Sequence, residues 1–470
     1  MENTLGVLLL SHVGFSFMED LIGTVTARGV KTCVLSSLPE PRHQVSRPEQ
    51  LIELADELHV TSEHVLTPED VDAYIDQLEA TGTSVQCCLT VWEGYRHLMA
   101  SANARLGVPD LDEKQILKLR DKLTLRNRLA DVGLTRGRAS ALTPTTLAER
   151  QREGGRYFVK PVSGIASFGT FPLTPETTWS ELERLTLEAR SDTVYANTFA
   201  TTAGPFSQSG TDLNNGADSA VSAPSGVGCE VEFLIEDYVP GQEFSFEVVV
   251  VDGDPYVVAV HEKCEVTEST GTVLENACVS PPTTLSQEEV AAGIRWTTRA
   301  LTALDLRWGC FHVEARYASS GWDLIEVNPR VGGSLISPSV AALTGGPGML
   351  DLWLDLLLTA SQPGGFLKTL KGLSFGMDGT TPSPNATFFR VFFTGPGTIR
   401  EVGLNDDLPF QPLLSHVLLK PGDVVEASSR EVFLGQVLWR MDLADRDDLL
   451  AELLPASMRA IEIMYETESG

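Results

Sequence analysis

Apolar residues in this chain fall into runs whose spacing predicts the order of elements. Thr4–Leu10 is a continuous apolar run of strand length, Lys31–Ser36 is a second and Val85–Trp92 a third, with helix-like stretches such as Glu93–Leu106 between and after them. Strands alternating with helices imply a parallel sheet with crossovers, so an N-terminal α/β domain is expected over residues 1–117. Its first turn, Ser11–Ser16, lacks the glycine fingerprint of a dinucleotide-binding turn. A helical pair is predicted from Asp112 to Val132, then a short strand at Tyr157–Lys160. Thr201–Gly228 is dominated by small and polar residues and predicts a mobile surface insertion. A strand resumes at Glu230 and runs into Pro240-Gly241. Two alternating runs, Glu243–Val251 and Tyr256–His261, flank Asp252-Gly253, a strong hairpin signal. Glu243, Ser245 and Glu247 share one face of the first run. Ser286–Leu304 reads as an amphipathic helix with Gln287, Glu288 and Glu289 in its first turn. Leu350–Ala360 is a Leu-rich helix that Pro363-Gly364-Gly365 would close. Ala386–Phe393, the turn Gly395-Pro396-Gly397 and short strands to Leu438 predict a β-rich C-terminal lobe over 361–470, ending in a helix from Asp445 to Tyr465.

The stretch from Gly309 to Gly333 reads as a hairpin able to hold metal. Side chains repeat every two residues along a strand, so His312, Glu314 and Arg316 share one face, and Glu326 and Asn328 project together. A turn centred on Ser320 sets Glu314 against Glu326 and His312 against Asn328. Carboxylates facing each other across a ladder repel. A divalent cation removes that conflict, and two carboxylates with an amide oxygen suit magnesium bound together with substrate phosphates. Arg330 and Gly332-Gly333 follow directly, adding a planar cation and backbone open to close approach. Taken alone, an E-x-N pair is more often the solvated face of an ordinary amphipathic hairpin. Its companions elsewhere reverse that.

Composition narrows the setting. At 470 residues, three lobes or subdomains are expected. With 64 acidic and 35 basic residues the net charge is −29, which argues against nucleic acid and anionic membrane surfaces as partners. Seven cysteines without a C-x-x-C pair fit a reducing compartment, and there is neither a leader-like N-terminus nor an apolar run of membrane-spanning length, so a cytoplasmic protein is expected.

The companions are three. Asp121-Lys122 opens the second predicted helix, and Arg126 lies on the same helical face as Lys122. Lys160-Pro161 ends a strand and is followed by the small-residue loop Val162–Gly169, whose backbone could meet phosphate oxygens, although G-x-x-x-x-G-K-[ST] is absent. The third is Glu236-Asp237-Tyr238-Val239-Pro240-Gly241-Gln242-Glu243. With Glu314 and Glu326-Val327-Asn328-Pro329-Arg330, these motifs resemble those of the ATP-grasp superfamily, specifically its carboxylate-amine ligases such as the bacterial L-amino-acid ligases that make dipeptides. The resemblance covers roughly residues 85–340 by specific motifs and the outer lobes only by general pattern. The loop after Lys160 has fewer glycines than the family's usual version, and the 201–228 insertion is unusually long.

The resemblance implies an α/β and α+β fold: an N-terminal parallel-sheet domain, an ATP-grasp domain over 118–360 with a lid at about 135–237, and the C-terminal β-rich lobe. It implies ATP and two magnesium ions, with manganese able to replace them. By motif, Lys122 and Lys160 would contact phosphates, and Ser167 and Gly169 would belong to the closing lid. Glu236, Asp237, Tyr238 and Val239 would border adenine, and Glu243 would approach the ribose. Glu314, Glu326 and Asn328 would hold metal. Arg330, with Gly332 and Gly333 beside it, would meet the substrate, and Arg330 and Lys160 would be catalytic. The implied activity joins an amino acid or other small carboxylate to an amine through an acyl-phosphate, with small amino acid or peptide substrates and a homodimer as the assembly. Within the same fold, a carboxylase-like or nucleotide-biosynthetic enzyme acting on bicarbonate or another small acid is the alternative. A non-catalytic nucleotide-binding protein is the alternative of another class. Residues 272–282 and those just after Arg330 are candidates for the specificity pocket.

Overall fold

The computed structural model describes residues 4–12, 17–38, 51–163, 169–191, 233–269, 272–405, 407–425 and 432–466. The chain opens with a parallel sheet of β1 (Thr4–Ser11), β2 (Lys31–Ser36), β3 (Glu57–Val60) and β4 (Thr83–Leu89) in the order β3-β2-β1-β4. Val7–Leu10 are buried because helices cover both faces of a parallel sheet. Helix Pro68–Ala80 starts on a capping box of Thr67 and Asp70, and helix Arg96–Leu106 stops at Gly107 in the left-handed region. Trp92 and Glu93 follow the carboxyl end of β4, on the side where ligands meet such sheets.

Helices Glu113–Arg120 and Lys122–Asp131 follow, and Asp121 between them caps the second by accepting from Thr124 N at 3.0 Å. A separate antiparallel sheet then forms from β5 (Ala139–Ala141), β6 (Tyr157–Pro161), β7 (Phe171–Leu173) and β8 (Phe233–Asp237), ordered β5-β8-β6-β7 around a small core that includes Val159, Phe171 and Ile235. The 201–228 insertion lies outside the described residues.

The remaining strands are β9 (Gln242–Val251), β10 (Asp254–Ser269), β11 (Thr272–Ser280), β12 (Trp308–Ala318), β13 (Gly321–Asn328), β14 (Asn385–Thr394), β15 (Gly397–Leu404), β16 (Leu414–Val417), β17 (Val424–Val425), β18 (Val432–Asp442) and β19 (Ile461–Tyr465). Eight of them form one sheet, β13-β12-β9-β10-β11-β14-β18-β16. The hairpin read as a metal site is at one edge, and strands from the C-terminal part extend the same sheet at the other. Asp252 and Gly253 turn β9 into β10 with φ of 50° and 91°, the two positive values a tight hairpin requires. Helix Gln287–Ala303 begins on a capping box of Ser286 and Glu289 and packs its apolar stripe on the sheet.

Two expectations are corrected. The last helix is Arg446–Ser457 and does not reach Tyr465. Ile461-Glu462-Ile463-Met464-Tyr465 alternates between more and less buried positions, a period of two, and pairs with β15. Pro363-Gly364-Gly365 does not simply close a helix: after Met349–Thr359 ends, Gly364–Leu373 forms another. Among the described residues no helix is long and apolar enough to cross a membrane.

Candidate active site

The β12–β13 hairpin pairs His312 with Asn328, Val313 with Val327 and Glu314 with Glu326, as the sequence predicts. The route to that register differs. The turn holds only Ser319 and Ser320, between Ala318 and Gly321, and a bulge at Ile325 takes up the extra residue. A bulge changes which face the following residues occupy. Leu324 therefore packs with Ala315 in the apolar core, while Glu326 returns to the polar face opposite Glu314.

That face extends inward across the sheet. β9 sets Glu247 opposite His312, Ser245 opposite Glu314 and Glu243 opposite Arg316. β10 brings Lys263, only 1% exposed, and β11 brings Glu275. Lys263 Nζ lies 2.7 Å from Glu243 Oε1 and also pairs with Glu275 and Glu314. Burial opposes its charge, but the three carboxylates more than compensate, holding its pKa well above the ordinary lysine value. Glu243, Glu275 and Glu314 each offer an oxygen within 4.8 Å of the others. Behind them, Glu247 Oε1 is 2.8 Å from His312 Nδ1, and His312 Nε2 is 3.3 Å from Glu314 Oε1. Burial disfavours a charged imidazole, yet Glu247 and Glu314 raise the His312 pKa to about 10. Burial would likewise raise the Glu247 pKa, but His312 and His261 bring it down to about 2. The facing pair is driven apart in the same way. Burial works against ionised Glu314, and Lys263 and His312 nonetheless hold its pKa low; burial raises that of Glu326, with Lys122 opposing and Glu314 adding.

The other predicted cations converge from neighbouring elements. Lys122 Nζ is 3.1 Å from Glu326 Oε2. Lys160 Nζ is 2.6 Å from Glu236 Oε1 and 3.5 Å from the carbonyl of the bulged Ile325. Arg126, one turn beyond Lys122, donates to Leu324 O at 2.7 Å and lies 3.4 Å from Glu236. Arg330 is held by Glu93 at 3.1 Å. Arg96, paired with Asp110, donates to Pro329 O at 2.9 Å, so the N-terminal domain grips the chain on both sides of this turn.

Glu314, Glu326, Asn328, Arg330, Gly332 and Gly333 all line one cavity of about 440 Å³, which also receives Lys263, Glu275 and Glu93. Gly332 has no room for a side chain: a Cβ there would lie 2.6 Å from His312 Nδ1. Asp237, Tyr238 and Val239 are not brought into that cavity and line a separate one of about 230 Å³. Tyr238 packs under the Arg156 guanidinium at 3.9 Å, and Val239 O accepts from Arg316 at 3.0 Å. Gly169 is buried with φ of 68°, and Ser167 lies outside the described residues.

Sequence reasoning missed Lys263, Glu93 and the Glu247–His312 pair as partners of the site, while Glu275 falls inside the 272–282 segment named for the specificity pocket. Only one signal was available for Lys263: it shares a strand face with His261, two residues earlier.

The profile of the ATP-grasp domain matches residues 199–338, a span that contains the facing carboxylates and most of the charged network. Across 99% of this chain and 100% of the other, the structure superposes on L-amino acid ligase from Bacillus licheniformis with a TM-score of 0.67 at 15% identity. This is an ATP-grasp fold. A second superposition, on phosphoribosylglycinamide synthetase from Anaerococcus prevotii, covers 98% of this chain and 100% of that one, with a TM-score of 0.63 and 14% identity. In sequence, the chain is 31% identical to carnosine synthase 1 of Gallus gallus over 135 residues, and 30% identical to that of Homo sapiens over 155. Those matches take in 29% and 33% of this chain but only 13% and 17% of the relatives' lengths.

Proposed function

We propose that this chain is an ATP-dependent carboxylate-amine ligase, joining the carboxylate of an amino acid or another small acid to an amine and releasing ADP and phosphate. The observation that carries the reading is the facing pair Glu314 and Glu326, countered by Lys263 and Lys122, beside a cavity that also holds Asn328 and Arg330.

The donor set fits a hard divalent cation: two opposed carboxylates and an amide, with no soft ligand among them. Glu314, Glu326 and Asn328 would hold two magnesium ions, which when bound neutralise phosphate oxygens. Lys122 and Lys160 would bring ammonium groups to the same phosphates, with the segment around Ser167 and Gly169 closing over them. Glu236 to Val239 would border the adenine and Glu243 the ribose.

A carboxylate is a poor acyl donor because its leaving group would be oxide. Transfer of the γ-phosphoryl group from ATP onto it gives an acyl-phosphate and ADP; the amine then attacks the acyl carbon and phosphate leaves. Little covalent help from protein is needed, so positioned cations carry most of the catalysis. Arg330, tied to Glu93, would orient the carboxylate and stabilise the oxyanion of the second step, with the backbone of Gly332 and Gly333 meeting the substrate. Incubation with ATP, magnesium and pools of amino acids, followed by phosphate assay and mass spectrometry, tests this. Phosphate release with a new amide mass is expected; release with bicarbonate alone, or none while ATP binds, would overturn it.

A further inference from the structure

The 440 Å³ cavity is divided in character. One part carries Lys263, Glu275, Glu326 and Arg330; another is walled by the sheet face of β11, β14 and β18. Phe389, Val391 and Phe393 lie two residues apart along β14 and so present side chains to the same face. Register sets Cys278 of β11 opposite Phe389 and Phe433 of β18 opposite Phe393. The rings of Phe393 and Phe433 meet edge to face with centroids 6.0 Å apart, both half-buried. Ile336, packed in one cluster with Phe389 and Val391, and Leu350 also line the cavity. The three serines of the cavity lie outside this wall: Ser245 Oγ donates to Glu247 at 2.9 Å, Ser334 Oγ donates to Gln436 at 2.8 Å, and Ser337 Oγ accepts from Leu350 N at 3.0 Å.

From this division we infer that one substrate of the ligation is an amino acid with a bulky apolar side chain, aromatic or branched aliphatic, seated against Val391, Phe393 and Phe433. This rests on the ligase reading of the same cavity and names its substrate class. An amino acid has the matching division, charged groups at one end and a side chain at the other. A polar side chain set against Val391, Phe393 and Phe433 would lose its water and find no hydrogen-bonding side chain on them, whereas an apolar one gains by leaving water. The volume is adequate for one such molecule and falls at the small end of ligand pockets. Asp20, at the N-terminal helix, also reaches the cavity. A basic side chain is therefore the competitor to exclude.

The test is kcat/KM for phosphate release with L-phenylalanine, L-leucine, L-alanine, L-aspartate and L-lysine, each alone and paired with the others. Phenylalanine or leucine should exceed alanine by about tenfold or more, the discrimination a few methylenes give. Phe433→Ser, checked for folding by circular dichroism, should shift the phenylalanine-to-alanine ratio about tenfold toward alanine. Equal or better use of aspartate or alanine, or a lysine preference abolished by Asp20→Asn, would overturn the inference while leaving the ligase reading intact. If no amino acid supports turnover, the ligase reading fails, and calorimetric titration of the intact chain decides the pocket alone. Tighter binding of L-phenylalanine than of L-alanine or L-lysine upholds it; the reverse order, or no binding, overturns it.

Discussion

Lys263 shows what single residues do in this site. Its ammonium is the shared counter-charge of Glu243, Glu275 and Glu314, and removing one partner of a buried ionic cluster leaves uncompensated charge. Lys263→Met should therefore lower unfolding stability by about 3 kcal/mol, read from urea denaturation. Glu326→Ala removes a proposed ligand on the partly exposed end of the hairpin rather than a core contact. We expect ATP turnover to fall by at least about a thousandfold while the urea transition stays cooperative, its midpoint lowered only by the loss of the Lys122 partner; ADP formation at the normal rate would sink the metal assignment. His97 gives a pH prediction. Burial, with Arg120 adding to it, lowers its pKa from 6.5 to about 4. The unfolded chain takes up this proton near 6.5 and the folded chain only near 4, so the stability owed to neutral His97 is complete above 6.5 and is lost as pH falls to 4. The loss is at most about 3 kcal/mol. His97→Phe should narrow the difference between urea midpoints at pH 7.5 and 4.5, and an unchanged difference would contradict the account.

At the scale of elements, the hairpin and its supporting helix are the informative pair. The helix Gln287–Ala303 is tied to the hairpin through Glu289, which caps Ser286 N and also accepts from Tyr317 Oη at 3.1 Å, while Trp322 Nε1 donates to its carbonyl at 3.2 Å. Ser286→Ala should cost about 1 kcal/mol, the usual worth of an N-cap, seen as a lower thermal midpoint. Since Ser286 does not line the cavity, the rate of the proposed ligation well below that midpoint should not change. The β19 strand carries the opposite lesson. Residues 445–465 have enough Leu, Ala and Glu to read as one helix, and only the pairing of Ile461–Tyr465 with β15 makes the period of two prevail.

On the scale of the whole molecule, the N-terminal sheet is not an appendage. Leu8, Leu98 and Met99 share one core with Val249, Cys310 and Trp353, so strands of the central sheet and helix Met349–Thr359 pack against it. Arg28 adds ion pairs to Asp351 and Asp355 at 3.0 and 2.5 Å. Removing residues 1–106 would expose this apolar face and release Arg330 and Pro329 from Glu93 and Arg96. We expect the truncated chain to aggregate or elute as a non-native species in size-exclusion chromatography, and a monodisperse product with native circular dichroism would refute the shared core.

Local chemistry is legible in one dimension. Strand periodicity placed Glu314 against Glu326, the Asp252-Gly253 turn identified its hairpin, and the Lys122–Arg126 spacing put two cations on one helical face, because each depends on residues close in sequence. The cavity depends on which strands become neighbours. β14 and β18 join the central sheet beside β11 and bring Phe389, Val391, Phe393 and Phe433 to a site more than fifty residues away in the chain. Lys263 met its three carboxylates, and Arg330 met Glu93, by the same long-range packing. Hydrophobic burial, which is non-directional, selected those neighbours, and no local pattern encodes its choice.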